Sequence, residues 1–371
     1  MFKKRYLTDQ IKKDLKEKMV FLGGPRQVGK TTLAKKIITN PSSYLNWDIA
    51  EHRESILKHR LPNVDSFIFD EIHKYHNWRS FVKGLYDQYG TKKKILVTGS
   101  ARLDYYRHGG DSLQGRYHYL RLFPFTVKEL KIETQKDLDD LFLLGPFPEQ
   151  FLRGSLQKSK RWSLQYRHRL ITEEIRDLEN VRSISLIELM ITRLPDLVGS
   201  PLSINALRED LSVAFNTADN WLKILERLYY LFRVPPFLST TVKTVKKEQK
   251  HYHFDYTQVK DEGARFENFI ALHLYKWCCF QVDCFGNQYE LRFYRDSQGR
   301  EVDFVILYEN KPIMFIEAKV AKEEVSKYLK YVKLKFPDVP AYQILKKQGV
   351  NYISKDGIIV QSALKFLSNY V

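Results

Sequence analysis

The sequence lacks any long apolar run. None of its apolar stretches approaches the roughly 18 consecutive residues that a membrane-spanning helix needs. Residues 1–18, MFKKRYLTDQIKKDLKEK, carry charges where a secretory signal would have an apolar segment. We therefore expect a cytoplasmic protein with no membrane segment.

Cysteine is also scarce. The three cysteines are Cys278, Cys279 and Cys284, and they come with neither a C-x-x-C pair nor paired histidines. This spacing gives no sign of a disulfide framework or a zinc site. It is typical of a protein kept in a reducing compartment.

Acidic residues are in the minority. The chain has 44 Asp and Glu against 61 Lys and Arg, for a formal net charge of +17. The basic residues are spread along the chain, and no arginine-rich tail or low-complexity segment is present. Such a charge is compatible with a polyanionic partner, nucleic acid first. A length of 371 residues suggests roughly two or three domains.

The clearest motif lies near the N-terminus, in MVFLGGPRQVGKTTL. A short apolar strand runs into G-x-x-x-x-G-K-[ST], and an amphipathic helix follows, which is the context that a phosphate-binding P-loop needs. We expect Lys30 to reach the β- and γ-phosphates of ATP and the Thr31 hydroxyl to hold Mg²⁺. The predicted nucleotide-binding residues of this loop are Gly24, Pro25, Arg26, Gln27, Val28, Gly29, Lys30, Thr31 and Thr32.

Two further strands end in polar residues. SFIFDEIH ends an apolar strand in Asp70 and Glu71, as a Walker B motif does. We expect Asp70 to bind Mg²⁺ through water and Glu71 to polarise the attacking water. The strand KILVTGS ends in two candidate sensors of the γ-phosphate, Thr98 and Ser100, of which Ser100 is slightly preferred.

Four segments together resemble one family: GPRQVGKTTL, FDEIHKYHNWRSFVKGLYD, VTGSARLD and SLQGRYHYLRLFPFTVKEL. The family is that of archaeal and bacterial AAA+-type ATPases whose C-terminal half is a domain of unknown function. The resemblance implies ATP and Mg²⁺ as cofactors and a homo-oligomer. It also implies that Arg116 acts on nucleotide charge, in cis or from a neighbouring subunit. Arg102 and Arg107 are weaker rivals, and an ordinary surface arginine is the alternative for Arg116.

The middle of the chain predicts a pair of short helices. LSINALREDLSVAFNTADNWLKILERLYYLFRVPPF has two apolar-periodic segments around a tight turn, followed by a strand-like run. This is the pattern of a winged helix-turn-helix. The second helix would present Asn216, Asp219, Asn220 and Lys223 outward, and Asp219 is awkward for a helix that faces phosphates. The module therefore binds either DNA or protein. The lysines of the following segment form either a basic wing or a mobile loop, and they are Lys243, Lys246, Lys247 and Lys250.

A hairpin with charges at its ends occupies 301–319, EVDFVILYENKPIMFIEAK. Val, Ile and Phe predict strands over 302–307 and 313–319, joined by a five-residue loop. In that register Asp303 lies directly opposite Glu317, and like charges at opposed positions repel. Mg²⁺ or Mn²⁺ would neutralise them. The alternative is a surface hairpin with a different register.

Two more residues complete this predicted metal site. Lys319 shares the face of Asp303 and Glu317, where it can stabilise a transition state. The helix DEGARFENFIALHLYKW places Glu267 beside its apolar stripe, which is costly unless the carboxylate is paired or ligating. This helix–strand–hairpin pattern resembles the restriction-endonuclease-like, PD-(D/E)XK type core. The resemblance implies a metal site of Glu267, Asp303 and Glu317 with Lys319 catalytic, although Val302 replaces the usual proline.

We therefore expect an α/β protein in three parts. These are an AAA+-like ATPase domain with a parallel sheet over 1–135, a helical linker with a winged helix over 136–237, and an α/β restriction-endonuclease-like domain over 238–371. The expected function is ATP turnover coupled to DNA binding or remodelling, with a metal-dependent nuclease-like domain. The alternative is an ATP-switched regulatory or scaffold protein whose two later modules are interaction surfaces.

Overall fold

The structure is a computed structural model that describes residues 4–99, 113–175, 184–237, 248–321 and 324–370. Several residues singled out above lie outside these ranges, namely Ser100, Arg102, Arg107, Lys243, Lys246 and Lys247. The chain divides into two compact units, Met1–Pro124 and Phe125–Val371. In the ranges that are described, no helix is both long and apolar enough to cross a membrane.

The first unit is built on a parallel sheet with strand order β2-β3-β4-β1-β5. Its strands are β1 Met19–Gly23, β2 Tyr44–Asn46, β3 Ser66–Asp70, β4 Lys94–Thr98 and β5 Tyr117–Arg121. Its helices are α1 Thr8–Asp14, α2 Lys30–Ile37, α3 Ala50–Leu57 and α4 Trp78–Tyr89, with short 3₁₀ turns at Pro41–Ser43, Ile72–Lys74 and Gly90–Lys92.

The central strands of this sheet are apolar because both of their faces are covered. Every residue of β1 is buried, and Phe69 on β3 packs edge-on against Phe81 of α4. The carboxyl ends of the strands meet at one edge, since Asp70 pairs with Thr98 and Thr98 pairs with Leu22. This edge brings the predicted nucleotide residues together.

The second unit begins with helices and a small antiparallel sheet of order β6-β9-β7. The helices are α5 Val127–Leu130, α6 Gln135–Leu144, α7 Pro148–Leu152, α8 Leu156–Arg169, α9 Ile184–Arg193, α10 Ile204–Asp210 and α11 Phe215–Arg227, with a π-helix at Leu170–Ile175 and 3₁₀ turns at Leu194–Leu197 and Tyr256–Gln258. The strands are β6 Pro201–Leu202, β7 Leu231–Val234 and β9 Gln249–His253. The predicted helix pair is confirmed as α10 and α11.

A mixed sheet of order β14-β15-β13-β12-β11-β10-β8 forms the rest of the second unit. Its strands are β8 Pro236–Phe237, β10 Tyr289–Arg295, β11 Glu301–Tyr308, β12 Lys311–Lys319, β13 Ala341–Leu345, β14 Asn351–Ile353 and β15 Ile359–Ser362. The helices α12 Glu262–Phe285, α13 Lys327–Lys335 and α14 Ala363–Leu367 accompany it. A side-chain cap starts α12, where Asp261 accepts a hydrogen bond from the Ala264 N–H group.

The hairpin of β11 and β12 has the predicted register but not the predicted loop. Phe304 pairs with Ile316, which continues to Asp303 opposite Glu317. The five-residue loop is wrong, because the turn consists only of Glu309 and Asn310, with φ of 48° and 64°. Positive φ at both positions is typical of a type I′ turn. The extra residue is Ile313, which forms a bulge between the pair Ile306–Met314 and the pair Leu307–Pro312.

Lys250 also departs from the prediction. The sequence placed it in a basic wing or mobile loop, whereas it lies within β9 and is fully buried. The strand β9 ends at His253, and all of its residues from Lys250 onward are buried.

Candidate nucleotide site and the acidic cluster of the C-terminal sheet

The loop after β1 has a backbone that needs glycine. Gly24 has φ of 123°, and a Cβ atom there would lie 2.2 Å from the Leu122 carbonyl oxygen. Gly29 has φ of 94° and precedes the first residue of α2. Both conformations are accessible to glycine at little cost, so the two motif glycines shape the loop.

Lys30 begins α2 and is buried inside that loop. Its Nζ atom donates to the carbonyl oxygens of Gly24 at 2.9 Å and Pro25 at 2.6 Å. The ammonium group is therefore held on the inner side of the loop, where phosphate oxygens can replace the two carbonyls as acceptors.

Asp70 gathers three hydroxyl groups at the end of β3. Its Oδ2 atom accepts from Thr31 Oγ1 and from the Tyr44 hydroxyl, each at 2.9 Å. Its Oδ1 atom accepts from Thr98 Oγ1 at 2.5 Å. Thr31 and Asp70 thus present adjacent hard oxygen donors, which fit Mg²⁺. Thr98 is engaged by Asp70, and its rival Ser100 lies outside the described residues.

Glu71 follows Asp70 in a strained backbone conformation, with φ of 55°. Its Oε2 atom lies 3.6 Å from His73 Nε2 and 3.7 Å from Lys74 Nζ. Burial raises the pKa of Glu71, and the nearby Lys30 ammonium opposes that rise. A non-glycine residue with positive φ beside a buried carboxylate is a pattern that clusters at functional sites.

Sequence reasoning missed Tyr44. Besides donating to Asp70, its hydroxyl accepts a 2.9 Å hydrogen bond from Asn46 Nδ2, and Lys35 Nζ lies 3.5 Å from its ring centroid. Burial raises its pKa to about 12. A tyrosine on a short strand carries no motif, and only the pairing of β2 with β3 brings it to Asp70.

Arg5 was missed for the same reason. It is 3% exposed, and its guanidinium donates to the carbonyl oxygens of Val28 and Phe123, each at 2.5 Å. These bonds tie the phosphate-binding loop to the chain that leaves β5. The loop is therefore held from behind by a residue far away in sequence.

Arg116 lies at the amino-terminal end of the parallel strands, whereas the phosphate-binding loop lies at their carboxyl end. Its carbonyl oxygen accepts from the Met19 N–H group, at the start of β1, whereas the loop follows Gly23 at the other end. At about 3.3 Å per residue the two ends are about 13 Å apart. Arg116 Nε donates to Asp87 Oδ1 at 2.9 Å. The arginine therefore does not reach the loop of its own chain.

The residues predicted for the C-terminal site do come together. Asp303 and Glu317 are 8% and 4% exposed. Asp303 Oδ2 accepts from the Ala318 N–H group at 2.9 Å, and the Asp303 N–H group lies 3.4 Å from Glu317 Oε2. Lys319 Nζ lies 2.8 Å from Glu317 Oε1.

Another lysine, absent from the predicted site, lies among its carboxylates. Lys250 Nζ is 2.9 Å from Glu267 Oε1, 2.8 Å from Glu301 Oε1 and 3.7 Å from Asp303 Oδ1. The Tyr252 hydroxyl donates to the same Glu267 oxygen at 2.6 Å. We call Glu267, Glu301 and Asp303 with Lys250 the acidic cluster.

Electrostatics in this region are dominated by burial. Burial raises the pKa of Glu267 to about 7, with Asp303 acting in the same direction and Lys250 opposing. Burial and Asp303 likewise raise the pKa of Glu317 to about 7. Burial lowers the pKa of Lys250, but the carboxylates of Glu267, Asp303 and Glu301 outweigh it, so the net shift is upward and Lys250 is charged.

A divalent ion does not fit the acidic cluster as it stands. In the part of the chain that is described, no three His, Cys, Asp or Glu side chains are grouped so that they could hold a metal ion. Lys250 places its ammonium group against Glu267 and Glu301, whose carboxylate oxygens a metal ion would need as ligands.

The helix pair presents its polar face as predicted. Asn216, Asn220 and Lys223 on α11 are exposed. Asp219 lies 2.7 Å from Lys223 Nζ and 4.0 Å from Arg233 Nη1. Its charge is therefore offset by its own neighbours.

Comparison with known proteins assigns the first domain. Residues 16–131 match the family model described as an AAA domain, while 135–257 and 262–365 match two domains of unknown function, DUF8612 and DUF4143. An uncharacterized protein of Methanocaldococcus jannaschii is 24% identical over 348 residues, covering 82% of this chain and 76% of that protein. An uncharacterized protein of Mycobacterium tuberculosis is 22% identical over 332 residues, covering 84% and 73%.

Among solved structures, RuvB of Thermotoga maritima aligns with a TM-score of 0.30 and 18% identity, covering 62% of this chain and 89% of that one. The assignment rests on the family model, together with the loop around Lys30 and the hydrogen bond between Thr31 and Asp70. Residues 16–131 are an AAA-type P-loop ATPase domain.

Proposed function

We propose that this protein hydrolyses ATP in its first unit and couples turnover to DNA binding or remodelling. The observation that carries the ATPase proposal is the meeting of Thr31 and Asp70 at 2.9 Å beside the buried Lys30. A P-loop lysine, a magnesium-binding hydroxyl and a Walker B carboxylate at one sheet edge are the parts that phosphoryl transfer from ATP requires.

The roles of the residues follow from their positions. Lys30 exchanges its two carbonyl acceptors for β- and γ-phosphate oxygens, and the N–H groups at the start of α2 add their dipole. Thr31 and Asp70 hold Mg²⁺, which supplies charge neutralisation on the phosphates when bound. Glu71 orients the attacking water, and the pKa raised by burial brings its carboxylate closer to accepting a proton.

Two variants separate binding from chemistry. Lys30→Ala should lose both ATP binding and hydrolysis, because the phosphates lose their cation. Glu71→Gln should bind ATP at least as well as the wild type but hydrolyse it at least about 100-fold more slowly. Nucleotide binding is measured by equilibrium titration and turnover by phosphate release, with the exposed Lys12→Ala as control. Wild-type turnover by Glu71→Gln would remove Glu71 from the mechanism.

The DNA part of the proposal is supported by charge. The net charge of +17 favours a polyanion, and α11 offers the exposed Asn216, Asn220 and Lys223 on one helix. If several phosphates are contacted, log K should fall against log salt by about 0.9 per contact. In this proposal α10 and α11 with the small sheet act as the winged helix.

The role of the C-terminal sheet has two readings. The convergence of Asp303, Glu317 and Lys319 matches a restriction-endonuclease-like centre, but Mg²⁺ or Mn²⁺ with Glu267 as a further ligand would require Lys250 to leave Glu267 and Asp303. The position of Lys250 favours the alternative, a regulatory protein in which this sheet is an interaction module. Metal-dependent DNA cleavage that disappears in Lys319→Ala would decide for the nuclease.

A further inference from the structure

We propose that Lys250 is the built-in cation of the acidic cluster, so that Glu267, Glu301 and Asp303 form an ion-pair site centred on lysine and need no metal. This inference is independent of the proposed ATPase activity, since all of its residues lie in the second unit. It assigns a role to two residues outside the sequence motif, Lys250 and Glu301.

The contacts of the ammonium group carry the first step. Lys250 is fully buried, and its Nζ atom makes two close contacts, at 2.8 Å to Glu301 and 2.9 Å to Glu267. Asp303 lies farther away, at 3.7 Å, so it contributes through charge. An ammonium group has three donors and no acceptor, which suits a position enclosed by carboxylates.

The carboxylates have other donors that fix their orientation. Glu267 Oε1 also accepts from the Tyr252 hydroxyl at 2.6 Å, and Asp303 Oδ2 accepts from the Ala318 N–H group at 2.9 Å. Lys250 and Tyr252 are two residues apart on β9, so they share one face of that strand. The strand thus presents two hydrogen-bond donors to Glu267, and these fix the position of its carboxylate.

Lys250 and a divalent ion would compete for the same carboxylate oxygens of Glu267 and Glu301. Mg²⁺ holds oxygen ligands at about 2.0–2.1 Å in near-octahedral order. The oxygens around Lys250 are instead spaced for N–O contacts of 2.8 and 2.9 Å. A divalent ion would have to displace the ammonium group of a fully buried lysine, and a buried charge without its partner is strongly disfavoured.

The site also joins two parts of the second unit. Lys250 lies on β9, which pairs with β6 and β7, whereas Glu267 lies on α12 and the other two acids lie on β11. Removal of the ammonium group would therefore both unbalance the charge and loosen the attachment of the small sheet. The ion pairs of the acidic cluster thus hold β9 against α12 and β11, at the place where the sequence predicts a metal.

The test is a thermal unfolding experiment on the full chain without nucleotide, in EDTA, in Mg²⁺ and in Mn²⁺. The wild type should unfold at the same temperature in all three. Lys250→Met keeps an unbranched side chain that is one atom shorter and removes the charge. It should be less stable in EDTA and regain stability in Mn²⁺ or Mg²⁺, because the carboxylates are then free to ligate. Adding Asp303→Asn to Lys250→Met should abolish that recovery, and Lys260→Met, which changes an exposed lysine, is the control.

Direct Mn²⁺ titration of the wild type and of Asp303→Asn keeps the proposal testable if Lys250→Met does not fold. The two titration curves should coincide. A wild type stabilised by metal, with the effect lost in Asp303→Asn, would overturn the proposal. So would a Lys250→Met protein that is as stable as the wild type in EDTA.

Discussion

Tyr44 connects a short strand to Asp70, the carboxylate proposed to bind Mg²⁺. Its hydroxyl and that of Thr31 donate to the same oxygen of Asp70. A hydrogen bond to a charged group contributes about 1.5–3 kcal/mol. Thr31 and Thr98 still donate hydrogen bonds to Asp70 when the Tyr44 bond is lost. The carboxylate should therefore be held less firmly but stay in the site.

Tyr44→Phe should therefore raise the Mg²⁺ concentration for half-maximal ATP hydrolysis by about tenfold or more, since about 1.4 kcal/mol corresponds to a factor of ten. The rate at saturating Mg²⁺ should stay close to that of the wild type. Magnesium titrations of phosphate release measure both, with Tyr86→Phe on α4 as the matched control. An unchanged magnesium requirement would show that the Tyr44 hydroxyl has only a packing role.

At the residue scale, the sequence predicts what a motif encodes and misses what tertiary contacts create. Lys30, Thr31 and Asp70 were predicted because their spacing on strand, loop and helix is itself the signal. Arg5 and Lys250 were missed because their partners are distant in sequence. Only the folded chain brings Arg5 to Val28, or Lys250 to Glu301.

Strands and turns differ in how far the alternation of apolar and polar residues predicts their structure. In the hairpin of β11 and β12, counting back along both strands from an assumed five-residue loop predicted the register that brings Asp303 opposite Glu317. The turn was mispredicted because a bulge shortens it to Glu309 and Asn310. Bulges depend on local backbone geometry, which the alternation of apolar residues does not record.

Helix α12 is fastened to α5 by His273. Its Nδ1 atom lies 2.8 Å from the Phe269 carbonyl oxygen, and its Nε2 atom accepts from the Val127 N–H group at 3.1 Å. These partners assign the neutral tautomer with hydrogen on Nδ1. Burial lowers the pKa of His273 to about 3. Protonation would place a second N–H group against that of Val127.

The sign of the pH effect follows from this lowered pKa. Below pH 6.5 the unfolded chain binds a proton at residue 273 and the folded chain does not, so acid favours unfolding. The stability advantage of the wild type over His273→Gln should shrink by about 2 kcal/mol between pH 7 and pH 5, at about 1.4 kcal/mol per pH unit. Urea unfolding at the two pH values measures it. A pH-independent difference would contradict the assigned neutral imidazole.

For the whole molecule, the position of Arg116 has a consequence for assembly. Because it lies at the end of the strands away from the phosphate-binding loop of its own chain, its predicted action on nucleotide requires a neighbouring subunit. Lys30→Ala and Arg116→Ala should each be impaired alone. Their mixture should exceed the sum of the two activities, because the Lys30→Ala subunit supplies its arginine to the intact loop of the other.

Phosphate release from the mixture, at constant total protein, measures this complementation. An additive result would mean that Arg116 does not act between subunits. Full activity of Arg116→Ala alone would return this residue to the role of a surface arginine paired with Asp87.

The central proposal is that ATP turnover in the first unit responds to DNA. The most direct measurement is steady-state phosphate release by the full chain, with and without single-stranded, duplex and branched DNA. We expect turnover that requires Mg²⁺, that is abolished in Glu71→Gln and that rises with at least one of these DNAs. Turnover that is the same with every DNA, or no magnesium-dependent turnover at all, would contradict the claim.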